Sequence, residues 1–203
     1  RTLHLDIPAG GVILESSPTE GTLEILPTVF VYHHDPAQAR NLAETIRLDG
    51  TQQAETGEMR FSVSAGPEGF PYQRVRIYTR ILAPTDCSVH LKTRHGDILT
   101  RGTFHTLDID HQYGKVSLED LHVNTLQGRF RHSEVRFLNV TGKQDLDLWN
   151  ASFAGVRMEG SFLISSYNTP LNLDRTTGKT LQIQSRHAEV RLKNLMIANT
   201  NIQ

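Results

Sequence analysis

The stretch "LDIDHQYGKVSL", residues 107–118, places apolar residues in two alternating pairs on either side of a polar bend that contains Gly114. The paired apolar residues are Leu107, Ile109, Val116 and Leu118. Alternation with a period of two is typical of a β-strand that buries one face and exposes the other. Because glycine adopts backbone conformations that other residues resist, the stretch predicts two short strands joined at a corner.

The same pattern recurs through the second half of the chain. The template has apolar residues at positions 0, 2, 9 and 11 and a small residue, usually glycine, at position 7. Further copies are "VHLKTRHGDILT" (89–100), "LHVNTLQGRFRH" (121–132), "FLISSYNTPLNL" (162–173) and "LQIQSRHAEVRL" (181–192). Thr100 and His132 take the last apolar position in the first two of these copies, and Thr169 and Ala188 replace glycine in the other two. Residues 133–160 depart from the template, and we expect a bulge or loop to interrupt the pattern there.

One such strand pair cannot bury its apolar side alone, so the copies must stack. The pattern predicts an all-β fold: a single-stranded β-helix, or β-solenoid, of short glycine-marked rungs over residues 86–203. The residues expected to point inward and to be buried include Ile109, Leu118, Val123, Phe130, Ile183 and Val190.

Residues 1–85 contain several strand-like segments separated by glycine and proline, and one helical segment, "DPAQARNLAETIRL". Asp35 can cap this helix and Pro36 suits its first position. We expect residues 1–85 to form a β-rich capping unit, a small sheet with a helix at about 36–47. This unit should pack on the first rung near Val89 and be continuous with residues 86–203 in one domain.

The segment "ILAPTDCSVHLKTRHGDI", residues 81–98, resembles the hallmark of the bacterial putative-adhesin β-solenoid family, a domain family of unknown function associated with the cell envelope. The matching residues are Pro84, Val89, Leu91, Thr93, Gly96, Asp97 and Ile98. The resemblance implies an extracytoplasmic protein that is secreted, lipid-anchored or tethered to a membrane. It brings no catalytic residue, metal site or cofactor.

Composition narrows the function classes further. The formal net charge of -1 over 203 residues provides no basic face for nucleic acid. No apolar stretch approaches the ~20 residues that span a bilayer, so we expect membrane association only through an anchor outside this chain. The chain begins with Arg1 rather than Met, so we expect a segment upstream of it, and an export signal is one candidate for that segment. Cys87 is the only cysteine, which excludes an internal disulfide framework and a multi-cysteine zinc site.

The favoured hypothesis is a non-enzymatic, adhesin-like scaffold or binding module of the cell envelope, with an envelope protein or a glycan as its partner. The alternative is a polysaccharide-active enzyme that uses a carboxylate-lined face of the solenoid. Asp108 and Asp110 would supply its acids, with Asp97 and Glu119 nearby. The chain has neither G-x-S-x-G nor a phosphate-binding loop. Its ten histidines show no metal-binding spacing, so we expect no catalytic, metal or cofactor residues.

Two surfaces remain candidates for binding. The first is an aromatic set that could contact a glycan or protein, for which core packing is the competing interpretation: Trp149, Phe153, Tyr113 and Tyr167. The second is the C-terminal end of the stack, where apolar residues either cap the last rung or form an interface for weak homo-association: Val190, Leu195, Met196 and Ile197.

Overall fold

The computed structural model describes residues 1–17, 19, 21–53, 55–65, 70–71 and 73–203. These residues form an all-β structure with one short helix, which confirms the predicted fold class at that level. The helix α1 is Pro36–Glu44. The strands are β1 (Thr2–Ala9), β2 (Val12–Ser16), β3 (Glu24–Val31), β4 (Arg47–Gln53), β5 (Glu58–Ser64), β6 (Val75–Ala83), β7 (Ser88–His95), β8 (Ile98–Trp149), β9 (Ser152–Val156), β10 (Glu159–Tyr167), β11 (Leu171–Arg186) and β12 (Val190–Ile202).

From β7 onward the chain pairs with itself in parallel at a nearly constant spacing along the sequence. Val89 pairs with Leu107, and Phe153 pairs with both Val135 and Leu171. Leu171 pairs in turn with Val190. The 52 residues of β8 therefore bend at corners and contribute to several successive segments. We call each repeating segment, with its inward-facing strands and the corners between them, a layer.

The corners depend on residues in the left-handed backbone region. Among the described residues, ten non-glycine residues have φ between 48° and 59°. They fall into two series. The first series is Tyr113, His132, Asn150, Asn168 and His187, and the second is Asp120, Asn139, Arg157, Arg175 and Asn194. The two series advance along the chain in identical steps, so each layer has one corner from each series. Asn, Asp and His tolerate this conformation better than most side chains, which accounts for seven of the ten.

This register corrects the predicted copy at 121–132. His132 occupies the same corner position as Tyr113 one layer earlier, so Leu126, and not Leu121, is equivalent to Leu107. Gly128 lies on a strand and not at a corner. It is buried, and a Cβ there would overlap the ring of Phe130.

The interruption expected within 133–160 is also wrong. Residues 134–138 pair with 152–156 without a break, and 141–149 pair with 159–167. A register shift occurs instead between Gly160 and Ser161, where β10 meets β11. The template missed these layers because two of its inward positions hold Gln144, which is fully buried, and Gly155.

The N-terminal strands belong to the same stack. β1 pairs in parallel with both β5 and β7, and β2 pairs in parallel with both β6 and β8. The layer of β1 and β2 therefore lies between a layer of β5 and β6 and the layer that begins at β7. These pairings cross the boundary expected at 85/86. Leu3 pairs with Val89, so the N-terminal unit packs on that layer through its strand β1 and not through the helix.

Antiparallel strands finish this end of the stack. β3 pairs with β6 and β4 pairs with β5, both antiparallel. The helix α1 connects β3 to β4, and its N-terminus is capped by Asp35, whose Oδ1 accepts a hydrogen bond from the Ala37 N–H at 2.8 Å. It ends at Glu44 rather than near 47, because the backbone enters β4 at Arg47.

The core lies between the inward faces of the layers. Ile109, Leu118, Phe130 and Ile183 are fully buried and Val123 is 7% exposed, which confirms those predictions. Val190 is only half-buried, because it lies on β12 in the last layer.

The C-terminal tail adds a layer instead of folding across the end. Leu195, Met196 and Ile197 pair in parallel with Thr176, Thr177 and Gly178 of β11. The tail therefore covers β11 as a paired strand, and the choice between a cap and an interface stays a prediction. Within the described part of the chain, β12 pairs with β11 alone, and Met196 is 72% exposed.

Candidate functional site

Aromatic rings follow one series of corners along the outside of the stack. His95 stacks on Tyr113 and Tyr113 on His132, each at a centroid distance of 5.0 Å. Trp149 stacks on Tyr167 at 4.2 Å, and Tyr167 meets His187 edge to face at 5.5 Å. Parallel pairing sets equivalent residues of adjacent layers about 4.8 Å apart, which is close to a ring-stacking distance. We call these residues the aromatic edge: His95, Tyr113, His132, Trp149, Tyr167 and His187.

The aromatic edge contains three of the four predicted aromatic residues, with Tyr113 in one ring stack and Trp149 and Tyr167 in another. Tyr113 and Trp149 are 45% and 46% exposed, and Tyr167 is half-buried beneath its neighbours. Phe153 does not belong to this surface. It is 2% exposed and packs edge to face on Phe137 at 5.1 Å. The corner at Asn150 lies between Trp149 and Phe153. The Trp149 side chain therefore points to the outside, and the Phe153 side chain points into the core.

Hydrogen-bonding side chains adjoin Trp149 and Tyr167. Asp147 and Trp149 point outward from the same strand, because the alternate residue Leu148 is buried. Ser165 pairs in register with Asp147 on one side and with Gln184 on the other. The two rings therefore border a row of carboxylate, hydroxyl and amide groups that crosses three layers.

A groove of about 450 Å³ lies further along the outer surface, on β1, β5, β7 and the start of β8. Its centre holds His4 and His90, whose rings stack at 4.7 Å and 8°. His4 Nε2 lies 3.1 Å from Glu58 Oε1, and His90 Nδ1 lies 3.3 Å from Asp108 Oδ2. Burial and the neighbouring His90 lower the pKa of His4, against the opposing effect of Glu58.

The acids of the predicted enzyme alternative are separated. Asp108 and Asp110 line the groove, where Asp108 lies 3.5 Å from an Arg129 nitrogen and Asp110 lies 4.0 Å from Arg131. Asp97 and Glu119 do not line it. Asp97 accepts a hydrogen bond from the Lys115 backbone N–H at 2.9 Å.

Glu119 forms an ion pair with Arg101 at 2.6 Å. Hydrogen bonds from Arg101 and Ser117 lower the pKa of Glu119. Among the described residues, no group of three or more His, Cys, Asp or Glu side chains could hold a metal ion.

One buried titratable residue was missed by the sequence interpretation. His111 is fully buried, with its Nδ1 2.6 Å from Thr93 Oγ1. Burial lowers its pKa to about 4. Thr93 and His111 occupy the same inward position in successive layers. The sequence template required no particular residue there, so it gave no indication of a buried histidine.

The described part of the chain contains no helix that is long and apolar enough to cross a membrane. No protein-family model matches the sequence, and no curated protein matches it.

Two solved structures are similar to this chain. A "putative adhesin" from Bacteroides fragilis is 9% identical, and the match covers 99% of this chain and 90% of that chain with a TM-score of 0.40. A "putative cell adhesion protein" from Clostridium sporogenes is 11% identical, with coverages of 99% and 91% and a TM-score of 0.33. Both likenesses are at low identity and low TM-score, and neither assigns the chain to a family.

Proposed function

We propose that this chain is a non-enzymatic, adhesin-like binding module of the bacterial cell envelope, built as a β-solenoid, that binds a glycan at Trp149 and Tyr167. The solenoid architecture is supported by the parallel pairing at a nearly constant spacing along the chain. It is further supported by the two corner series, which advance by the same steps. A rigid surface of this kind loses little conformational entropy when it binds.

The observation that carries the proposal is the exposed Trp149–Tyr167 stack beside a row of polar groups. Sugars present apolar C–H faces together with hydroxyl groups, so a site for them combines aromatic rings with a few fixed hydrogen-bonding side chains. Asp147, Ser165 and Gln184 provide those groups next to the rings. The ring edges and the uncovered part of Trp149 are the apolar contact surface.

The enzyme alternative receives no comparable support. A glycosidase needs one carboxyl group that keeps a proton and a second that remains ionised across the scissile bond. Here Asp108 and Asp110 each face an arginine, and Asp108 also contacts His90. These contacts suit a surface of mutually compensated charges better than an acid and base pair.

Trp149 makes the proposal directly testable, because it is the only tryptophan in the chain. Its fluorescence should shift saturably with at least one of three test ligands: chitin oligosaccharides, cellulose oligosaccharides or peptidoglycan fragments. The bound ligand should also protect Trp149 from quenching by acrylamide. Tyr167→Ala and Asp147→Ala should weaken binding, whereas the control Leu48→Ala, at an exposed apolar residue on β4, should not.

Unchanged emission with all three test ligands would contradict the proposal. So would calorimetric binding that survives the Trp149→Ala/Tyr167→Ala double substitution. Release of new reducing ends that Asp108→Asn abolishes would favour the enzyme alternative instead.

A further inference from the structure

A second exposed surface lies at the N-terminal end of the stack. It carries large apolar side chains that are 41% to 57% exposed. We call these residues the apolar patch: Ile13, Leu26, Phe30, Tyr32 and Tyr78. On β3 the alternate residues Ile25, Val29 and Val31 pack against the core, so Leu26 and Phe30 face outward.

The patch is continuous across three strands. Thr28 of β3 pairs with Tyr78 of β6, and Phe30 meets Tyr78 edge to face at 5.5 Å. Ile13 of β2 lies beside the same part of β6, where it pairs with Arg80. The Tyr78 ring lies directly over Gly11, whose missing side chain leaves room for it. Contiguous exposed apolar surface of this kind marks interaction sites, and tyrosine, phenylalanine and arginine are enriched at protein interfaces.

Opposite charges stand at the two ends of β3. Glu24 begins the strand, and Arg74 lies beside its far end, where its carbonyl accepts a hydrogen bond from the Tyr32 N–H at 2.7 Å. Neither side chain forms an ion pair with any of the described residues. By contrast, Glu15 and Arg80 within the patch already pair with each other at 3.0 Å.

We propose that the apolar patch is the interface of a two-fold symmetric dimer with a second copy of this chain. A two-fold interface is self-complementary, because it uses the same surface on both subunits. An axis near Tyr78 that reverses the strand direction brings apolar patch onto apolar patch. It also sets Glu24 of each subunit opposite Arg74 of the partner subunit, so two charges that pair with none of the described residues in one chain are paired in the dimer.

The interface uses the face of β3 rather than its edge. Pro27 lies in the middle of β3 and has no N–H to donate to another strand. A proline in an edge strand discourages edge-to-edge pairing. The side chains of Leu26 and Phe30 on either side of it remain available for contact between faces.

Sedimentation velocity of the full chain over a range of concentrations tests this proposal. We expect a concentration-dependent dimer. Phe30→Glu and, as a milder second variant, Leu26→Ser should raise its dissociation constant on the order of tenfold or more. Leu163→Glu is the matched control, since Leu163 is an exposed leucine outside the patch, and it should leave the dimer unchanged. Thermal melts of each variant check that the fold is retained.

Charge reversal tests the geometry of the dimer. Glu24→Arg and Arg74→Glu should each weaken it, and the double variant should restore it. A monomer at every concentration would overturn the proposal. A dimer that survives Phe30→Glu but is lost with Met196→Glu would overturn it in favour of end-on pairing through β12. Binding of a monomer to anionic phosphatidylglycerol vesicles that Phe30→Glu abolishes would assign the patch to a membrane surface instead.

Discussion

Gly96 shows how little room the corners leave for a side chain. Its φ is +136°, and a Cβ there would overlap the carbonyl of Gly10 in the adjacent layer. We expect Gly96→Ala to lower the free energy of unfolding by about 2 kcal/mol or more, since it combines backbone strain with that overlap. Gly50→Ala is the control, because a Cβ at Gly50 meets nothing within 4 Å. Equal urea midpoints for the two variants would contradict this account.

His111 should make stability depend on pH. Burial lowers its pKa from 6.5 to about 4, with Asp97 and Asp110 acting in the opposite direction and His95 reinforcing the shift. Between pH 6.5 and 4 the His111 imidazole therefore binds a proton in the unfolded chain that it does not bind in the native state. Stability should fall as the pH drops through this window, by at most about 1.4 kcal/mol per pH unit from this residue, and its contribution should level off below pH 4.

The comparison that isolates this effect uses Thr93→Val/His111→Leu, which removes the titrating ring and its hydrogen-bonding partner together. Urea unfolding at pH 7 and pH 5 should show a smaller loss of stability in this variant than in the parent chain. His122→Gln, at an exposed position, should behave like the parent. If the double variant loses as much stability as the parent, another group is responsible for the pH dependence.

At the scale of the elements, β12 should contribute strongly to stability. It covers the last inward residues of β11, of which Leu171, Leu173, Leu181 and Ile183 are at most 1% exposed. Deleting residues 190–203 should lower the free energy of unfolding by several kcal/mol, because fully burying one leucine or isoleucine contributes about 1.5–3 kcal/mol. Met196→Ala, at a 72% exposed position, should change it by less than about 0.5 kcal/mol. If the shortened chain had the same melting temperature as the full chain, β12 would not be packed on β11.

The alternation of apolar residues predicted the strands well but determined their register only in part. Thr169 and Ala188 were identified correctly as corner residues that replace glycine. Neither Thr169 nor Ala188 has a positive φ, so both positions accept a side chain. The residues before them, Asn168 and His187, adopt the left-handed conformation instead. Gly128 was misplaced because a glycine on a strand and a glycine at a corner look alike in sequence. Only the side chains packed around the position distinguish the two, here the ring of Phe130 on the same strand and the side chain of Leu146.

At the scale of the whole molecule, the order of the layers could not have been predicted. The alternating residues of β1 suit any parallel neighbour, and nothing local selects β5 and β7, which are distant in the chain. The candidate site was predicted in part for a related reason. Trp149 and Tyr167 were recognised by residue type, but their stacking depends on the register between successive layers. The apolar patch needs β3, β6 and β2 side by side, which is again a long-range arrangement.

The strands β1 and β2 lie between two layers whose strands are synthesised after them, and this order has a consequence for how the protein is made. Both strands are synthesised before each of their neighbours, which lie downstream as far as the start of β8. Leu3, Leu5 and Ile7 lack one of their two neighbouring strands until His95 has been synthesised. Pairing between strands so distant in the chain is slow. During synthesis β1 and β2 therefore expose apolar residues until both neighbouring strands are made, and a holdase chaperone binds surfaces of this kind.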